Sequence, residues 1–242
     1  MRVCVILPTY NERETLPALL EQLAVAAAGA RLDCEAVVVD DGSPDGTAEA
    51  ASRAAAGLRD RLAVVIIGRR AKTGLTSAVI DGVRHGAGDV IVVMDADLSH
   101  PPELVPRLVE AIARGADVAI GSRYAPGGGI KRWPVERHVI SWGATLLARK
   151  VLGTRIADPV SGFFAVRRAV FEQVRFAGLG YKLLVEILAS GAASRVDEVP
   201  YVFTDRTSGR SKLGPGEILN YARLILRLWR TRGRVSAQRM IR

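Results

Sequence analysis

Short β-branched apolar runs alternate with longer stretches of mixed polarity along the first half of the chain. Arg2-Val-Cys-Val-Ile-Leu7, Glu35-Ala-Val-Val-Val39, Leu62 to Ile67, Val90 to Met94 and Asp117-Val-Ala-Ile-Gly121 have the length and content of buried strands. Between them, Leu16, Leu19, Leu20 and Leu23 mark one face of a helix, and Thr76 to His85 also reads as helical. A third helix, rich in Ala and Arg, follows the turn-dense segment Asp40-Asp-Gly-Ser-Pro-Asp-Gly-Thr47. Asn11 and Glu14 are spaced like an N-cap and its reciprocal partner, and Pro101-Pro102 opens a helix after the fourth strand. Strands alternating with helices predict an α/β fold, a mostly parallel sheet covered by helices on both faces.

After Arg123 the pattern changes. Ala125-Pro-Gly-Gly-Gly-Ile130 is a glycine-rich loop flanked by Lys131, Arg132 and Arg137. Val135 to Leu152 reads as a helix carrying Trp142, Leu146, Leu147 and Val151. Asp158-Pro-Val-Ser-Gly162 is a turn before the apolar Phe163-Phe-Ala-Val166; a short helix from Gly180 to Ser190 contains Glu186; Val199 to Phe203 is a last strand. Thr204 to Leu213 is a second basic loop. Then Ile218, Leu219, Ala222, Ile225, Leu226 and Trp229 recur at helical spacing among Arg223, Arg227 and Arg230. An amphipathic basic helix with a Trp suits a membrane surface, and it equally suits packing on the domain with a solvated arginine face. The chain divides into a domain at 1–213 and an amphipathic helix with a basic tail at 214–242, with no apolar run near the ~20 residues of a membrane span.

Composition sharpens this picture through charge. Of 242 residues, 49% are hydrophobic and 24% charged, an ordinary globular balance, and the formal net charge is +9. Residues 1–122 carry 12 Lys/Arg against 17 Asp/Glu, net −5, while residues 123–242 carry 22 against 8, net +14. The first half holds carboxylates and the second supplies cations, which points to an anionic partner. Aromatics are only 5% and no zinc spacing or RNA-binding signature accompanies the arginines, so nucleic acid is not expected. Cys4 and Cys34 read as buried thiols in a reducing compartment, although neighbouring strands could bring them close. Met1-Arg2 leads straight into a strand, so no signal peptide is read.

The predicted strands end in acid: Glu12 after the first, Asp40 and Asp41 after the second, Asp95 and Asp97 after the fourth. In open α/β sheets ligands bind beyond the carboxyl ends of the strands, where these residues fall. There is no G-x-G-x-x-G after the first strand and no G-x-x-x-x-G-K-[ST], which excludes the common dinucleotide and P-loop cradles. Two carboxylates one residue apart suit a hard divalent cation shared with substrate phosphates; a lone D-x-D also suits a strand end with a capping Asp.

Taken in order, these pieces resemble glycosyltransferase family 2, and within it the dolichol or polyprenol phosphate mannosyltransferases. The matching stretches are Pro8-Thr-Tyr-Asn-Glu12, Asp40-Asp-Gly-Ser-Pro-Asp-Gly-Thr47, Gly88 to Glu103, Gly121-Ser-Arg-Tyr124, Ser161-Gly-Phe163, Gly180-Tyr-Lys182 with Glu186, and Val199-Pro200 leading to Arg206, Gly209 and Ser211-Lys-Leu213. The resemblance implies a GT-A fold, a Rossmann-like sheet binding a nucleoside-diphosphate sugar and Mg²⁺ or Mn²⁺. It implies a nucleotide pocket lined by Pro8, Tyr10, Glu12, Val39 and Asp41, with Asp95, Ala96, Asp97, Ser99, Arg123, Arg206 and Lys212 completing the donor site. Asp97 with Ser99 is the implied metal site. Arg123, Arg137, Ser141, Arg206 and Lys212 are implied to gather the phosphates, and Asp95, Asp97, Arg123 and Arg206 to be catalytic.

The implied reaction is inverting transfer of mannose from GDP-mannose to a dolichyl or polyprenyl phosphate at the cytoplasmic face of a membrane. A phosphate monoester has its second pKa near ~6 and is already largely a dianion at neutral pH, so no base is assigned. Family members that glycosylate hydroxyls keep open Asp95 or Asp97 as a base. Alternatives are another donor (UDP-glucose, UDP-GlcNAc or an aminoarabinose type), a nucleotidyltransferase, or a non-enzymatic basic peripheral membrane protein. Many relatives carry transmembrane helices after the catalytic domain; here membrane contact is expected through the helices at 139–152 and 215–231, the arginine tail, or an anchoring subunit.

Overall fold

Seven strands form the central sheet, and the alternation read from the sequence supplies most of them. The computed structural model describes residues 1–176, 182–205 and 215–239. The first half runs β1 (Arg2–Thr9), α1 (Leu16–Gly29), β2 (Asp33–Asp40), α2 (Thr47–Gly57), β3 (Ala63–Gly68), α3 (Leu75–His85) and β4 (Val90–Val93). A 3-10 turn at Pro102–Leu104 leads into α4 (Val105–Ala113) and β5 (Val118–Ser122). The second half adds β6 (Gly129–Lys131), α5 (Val135–Leu152), β7 (Phe164–Arg167), α6 (Arg168–Phe171), α7 (Leu183–Ser190), β8 (Val196–Pro200), β9 (Val202–Thr204) and α8 (Pro215–Arg239).

The sheet order is β3-β2-β1-β4-β7-β5-β8, and β6 pairs with β9 in a small separate sheet. β1 is parallel to β2 and β4, β2 to β3, and β5 to β8. Among the described strands only β7 runs against its neighbours, with Phe164 opposite both Val93 and Ile120. The reason lies in the excursion from Arg123 to Phe163, which returns the chain to the sheet from the carboxyl edge instead of crossing over a face.

Alternate residues of each strand serve opposite faces, so continuous apolar runs are required. Val5, Leu7 and Val38 pack with Leu19, Leu20 and Leu23 of α1 and Leu108 and Ile112 of α4. Ile6, Val37 and Val39 pack on the other face with Val79 and Val83 of α3 and Leu184 and Ile187 of α7. The turn from α3 into β4 lies flat on β1: a Cβ at Gly88 would stand 2.5 Å from the Cys4 backbone nitrogen, so only glycine fits. Arg168 locks the same turn by donating to the carbonyls of Val83, Gly86 and Gly88 at 3.0, 2.8 and 2.7 Å.

Two local expectations change, and the reading of Cys4 and Cys34 as unpaired thiols stands. The α1 N-terminus is not capped by Asn11 and Glu14: the helix starts at Leu16, Asn11 is left-handed with φ 59°, and its N–H donates to the Ser43 hydroxyl at 2.9 Å. Ser43 lies on the loop after β2, so a tertiary contact displaces the local cap. The expected last strand is two strands in different sheets, divided at Tyr201, whose N–H donates to Ser122 O and whose carbonyl accepts from Gly129. Cys34 pairs in register with Val3, so Cys4 and Cys34 sit on opposite faces of the sheet and both are free thiols. Burial pushes each thiol up to about 12.

Candidate active site at the carboxyl edge of the sheet

The strand ends of β1, β2 and β4 converge on one edge, and their acidic residues have distinct tasks. Asp40 holds its own turn, accepting from the Ser43 N–H at 3.1 Å and from the Ser43 hydroxyl. Asp41 clamps the basic loop after β3: its carboxylate accepts from the N–H groups of Thr73 (3.2 Å) and Gly74 (3.1 Å) and pairs with Arg69 at 3.1 Å. Glu12 ties the β1 loop to the helices, donating its N–H to the Thr47 hydroxyl at 3.0 Å and accepting from the Thr15 hydroxyl at 2.9 Å. Tyr10 lies beside this loop with the Lys72 ammonium 4.0 Å from its ring centroid. Pro8 is half-buried and in register with Val39, which is wholly inside the core, so Val39 offers a pocket only its main chain.

The loop after β4 is the most tightly shaped part of the edge. The Asp95 N–H donates to His100 Nδ1 at 2.9 Å, which fixes the imidazole with its proton on Nε2. That ring is buried, stacks on Phe163 at 4.9 Å, and is held neutral because burial lowers its pKa. Leu98 adopts φ 61°, a left-handed turn that folds Ser99 back so its N–H (3.1 Å) and hydroxyl both donate to Asp97 Oδ1. Ala96 is buried beneath, and the Asp95 side chain is 46% exposed. Asp95 and Asp97 are therefore presented by a rigid loop and turned toward the edge.

No cluster of three or more His, Cys, Asp and Glu side chains gathers among the described residues. This loop offers two carboxylates, Asp95 and Asp97. That donor set fits Mg²⁺ or Mn²⁺, hard cations that take one or two carboxylates and complete their shells with water and substrate phosphates. It does not fit a dedicated all-protein metal cage.

The opposite wall is cationic but internally neutralised. Arg123, at the end of β5, forks onto Asp158 through Nε (2.7 Å) and Nη2 (2.8 Å), and its own N–H meets the same carboxylate at 3.1 Å. Burial pulls the Arg123 pKa down, but the hydrogen bonds and charge of Asp158 outweigh it and the group is held firmly protonated. Arg137, on α5, donates through Nη1 to both oxygens of Asp205 at 2.8 and 2.7 Å. Ser141, one turn further on α5, accepts from the Tyr124 hydroxyl at 2.9 Å. The Phe203 ring lies against both walls, its centroid 6.0 Å from that of His100 and 6.0 Å from the Arg123 guanidinium carbon, so the His100-anchored carboxylate loop and Arg123 approach one another across a single aromatic ring.

Arg206 and Lys212, expected among the phosphate ligands, fall outside the described residues, as do Gly180, Tyr181, Gly209 and Ser211. Sequence reasoning did not single out His100, Trp133, Asp158 as an ion-pair partner, or Asp205. His100 carried a signal, a histidine three residues after the acidic pair. Asp158 carried none beyond its turn, because its partner is 35 residues away.

Residues 4–175 match the profile of the family described as Glycosyl transferase family 2. The chain is 48% identical over 238 residues to a dolichol-phosphate mannosyltransferase of Pyrococcus furiosus, covering 98% of this chain and 66% of that protein. It is 41% identical to an undecaprenyl-phosphate mannosyltransferase of Micrococcus luteus, covering 89% of each. It is 39% identical to a polyprenol monophosphomannose synthase of Mycolicibacterium smegmatis, covering 98% of this chain and 90% of that one. Among solved structures, glucosyl-3-phosphoglycerate synthase of Mycobacterium tuberculosis with Mn²⁺, UDP-glucose and glycerol 3-phosphate superposes with TM-score 0.66 at 20% identity, covering 94% of this chain and 78% of that one. A further mycobacterial protein gives TM-score 0.71 at 22% identity, covering 94% and 74%. Together with the mostly parallel, helix-covered sheet, these likenesses show a GT-A fold.

Proposed function

The chain belongs to glycosyl transferase family 2, and from that premise we propose that it transfers mannose from GDP-mannose to a polyprenyl or dolichyl phosphate. What carries this reading is the approach of the Asp95–Asp97 loop, anchored by the Asp95 N–H to His100 bond, to Arg123 across the Phe203 ring. The names of the relatives, at 39–48% identity, support mannose and a prenyl phosphate.

The acceptor monoester is largely dianionic at neutral pH, so its oxygen attacks the sugar C1 without a proton acceptor. As the new bond forms, the C1–oxygen bond to the donor diphosphate breaks and its electron pair leaves with GDP, inverting C1. A bound Mg²⁺ or Mn²⁺, held through Asp97 with Asp95 and Ser99 beside it, would supply charge neutralisation for the diphosphate. Asp97 is oriented for this by Ser99, and Asp95 by its main-chain bond to His100. The guanidinium N–H donors of Arg123 and Arg137, with Arg206 and Lys212 from the following basic loop, hold two anionic groups together. Tyr10, Lys72 and the loop clamped by Asp41 flank the nucleotide side. The test is incorporation of mannose from GDP-mannose into an organic-extractable, acid-labile lipid phosphate.

A lipid acceptor requires a membrane contact. α8 packs on α5 through Leu224, Ile225, Ala148 and Val151, and Tyr221 donates to the Ala144 carbonyl at 2.6 Å. The outer faces keep Val139, Trp142, Leu146, Leu226 and Trp229 exposed, the two tryptophans at 60% and 64%. Among the described residues no helix is long and apolar enough to cross a membrane. This joined face, bordered by Arg149, Arg223 and Arg230, would lie in the interface of an anionic bilayer. Two free thiols support the cytoplasmic side. Sedimentation with vesicles containing anionic lipid checks it: Trp142→Ser with Trp229→Ser should lower partitioning roughly tenfold or more. Unchanged partitioning of the double variant would remove this face from the account.

A further inference from the structure

We propose that Trp133 is a positioning residue that holds Arg123 and Arg137 in place for the acceptor phosphate, an inference that rests on the transfer reaction proposed above. The two arginines come from different elements, the end of β5 and the first turn of α5. Each is bound to its own carboxylate, Arg123 to Asp158 and Arg137 to Asp205. Trp133 is the group they share. The Arg137 guanidinium carbon stands 4.3 Å from its ring centroid and that of Arg123 5.7 Å. The indole is itself held edge-on by Phe203 at 5.2 Å and His138 at 5.5 Å.

The two ion pairs are unequal. Asp158 is 0% exposed and also binds the Arg123 main chain, so a ligand cannot reach or replace it. Asp205 is 20% exposed and Arg137 19%, and Arg137 Nε is buried with no acceptor among the described residues. An incoming phosphate therefore exchanges with Asp205 on Arg137, while Arg123 stays fixed. During that exchange Arg137 gives up Asp205, and its contact with Trp133 keeps the guanidinium in register. An indole gives the strongest attraction to a cation among aromatic rings.

A second observation sets this apart from simple filling. The Trp133 indole N–H is buried with no acceptor among the described residues. A phenylalanine or leucine would fill space without that orphaned donor, which costs stability. What an aliphatic replacement cannot supply is the aromatic face that both guanidiniums meet.

The experiment uses the full chain with a water-soluble short prenyl monophosphate, citronellyl phosphate, titrated calorimetrically in the presence of GDP and Mg²⁺. Trp133→Leu should weaken citronellyl phosphate binding roughly 5- to 30-fold, with the Kd for GDP and the Tm near those of the unsubstituted protein. Trp133→Phe, which keeps a ring and removes the orphaned donor, should recover most of the affinity. Equal binding by the leucine variant and the unsubstituted protein, whether both bind or neither does, overturns the proposal. So does a parallel loss of GDP affinity, the mark of a merely structural role. A protein that shows the predicted binding pattern but transfers no mannose would leave the positioning role standing and sink the reaction instead.

Discussion

Asp97→Asn should lower kcat/KM for mannosyl transfer by about 10³-fold or more while leaving the fold intact. The amide keeps an Oδ1 acceptor for the Ser99 N–H and hydroxyl, so the turn at Leu98 retains both its hydrogen bonds. What it removes is the negative charge beside the donor diphosphate, where metal binding contributes several kcal/mol of charge stabilisation. Asp97→Ala should lose the same activity and in addition cost about 1–2 kcal/mol, because the Ser99 donors are left without their acceptor. Steady-state kinetics of both variants, read beside thermal melts, separates charge from loop order. If the asparagine variant keeps more than a tenth of the activity, Asp97 is a loop cap and the metal site lies elsewhere.

Asp158→Asn is expected to produce the largest loss of stability of any single substitution at the site. Asp158 is wholly buried and neutralises an arginine that is itself only 10% exposed. Removing one partner of a buried ion pair leaves the other charge without compensation, at about 3–5 kcal/mol. For a chain of this size that corresponds to a fall in Tm of roughly 6–20 °C. The paired replacement Asp158→Leu with Arg123→Met should melt higher than Asp158→Asn, since neither charge then remains buried. A single variant melting within about 2 °C of the unsubstituted protein would show that water reaches Arg123 and that the wall is not the rigid element described here.

The two predictions fall on opposite sides of what the sequence reveals. The Asp95–Asp97 loop was legible because everything that shapes it is local: an apolar run, two acids, a serine two residues on and a proline pair. The parallel strands were legible for the same reason, each buried run carrying its own β-branched signature. The strand pairing Phe164 with Val93 and Ile120 was visible only as an apolar run after a turn, and its antiparallel direction not at all, because direction is set by an excursion of some forty residues whose path no periodicity encodes. Val199 to Phe203 looked like one strand because Tyr201 is apolar enough to continue the pattern; only the bonds of its main chain to Ser122 and Gly129 show the division.

Charge was the least legible quantity. The excess of Lys and Arg after residue 123 pointed to an anion-binding half, yet Arg123 and Arg137 are each matched by an aspartate. Asp41, which the resemblance put in the nucleotide pocket, has its carboxylate committed to Arg69 and to the backbone of Thr73 and Gly74. Its influence on a bound nucleotide then passes through the loop it clamps. Formal charge counts groups; the site depends on which of them the fold has already paired.

The most direct measurement is a donor competition in detergent or mixed micelles with polyprenyl phosphate and Mg²⁺ or Mn²⁺. GDP-mannose, UDP-glucose, UDP-GlcNAc and a UDP-aminoarabinose-type donor are each supplied labelled, and the organic phase is counted. The account predicts label from GDP-mannose alone, abolished by chelation and restored by either cation, with the sugar β-linked to the lipid phosphate. Lipid labelled from UDP-glucose and not from GDP-mannose would contradict it.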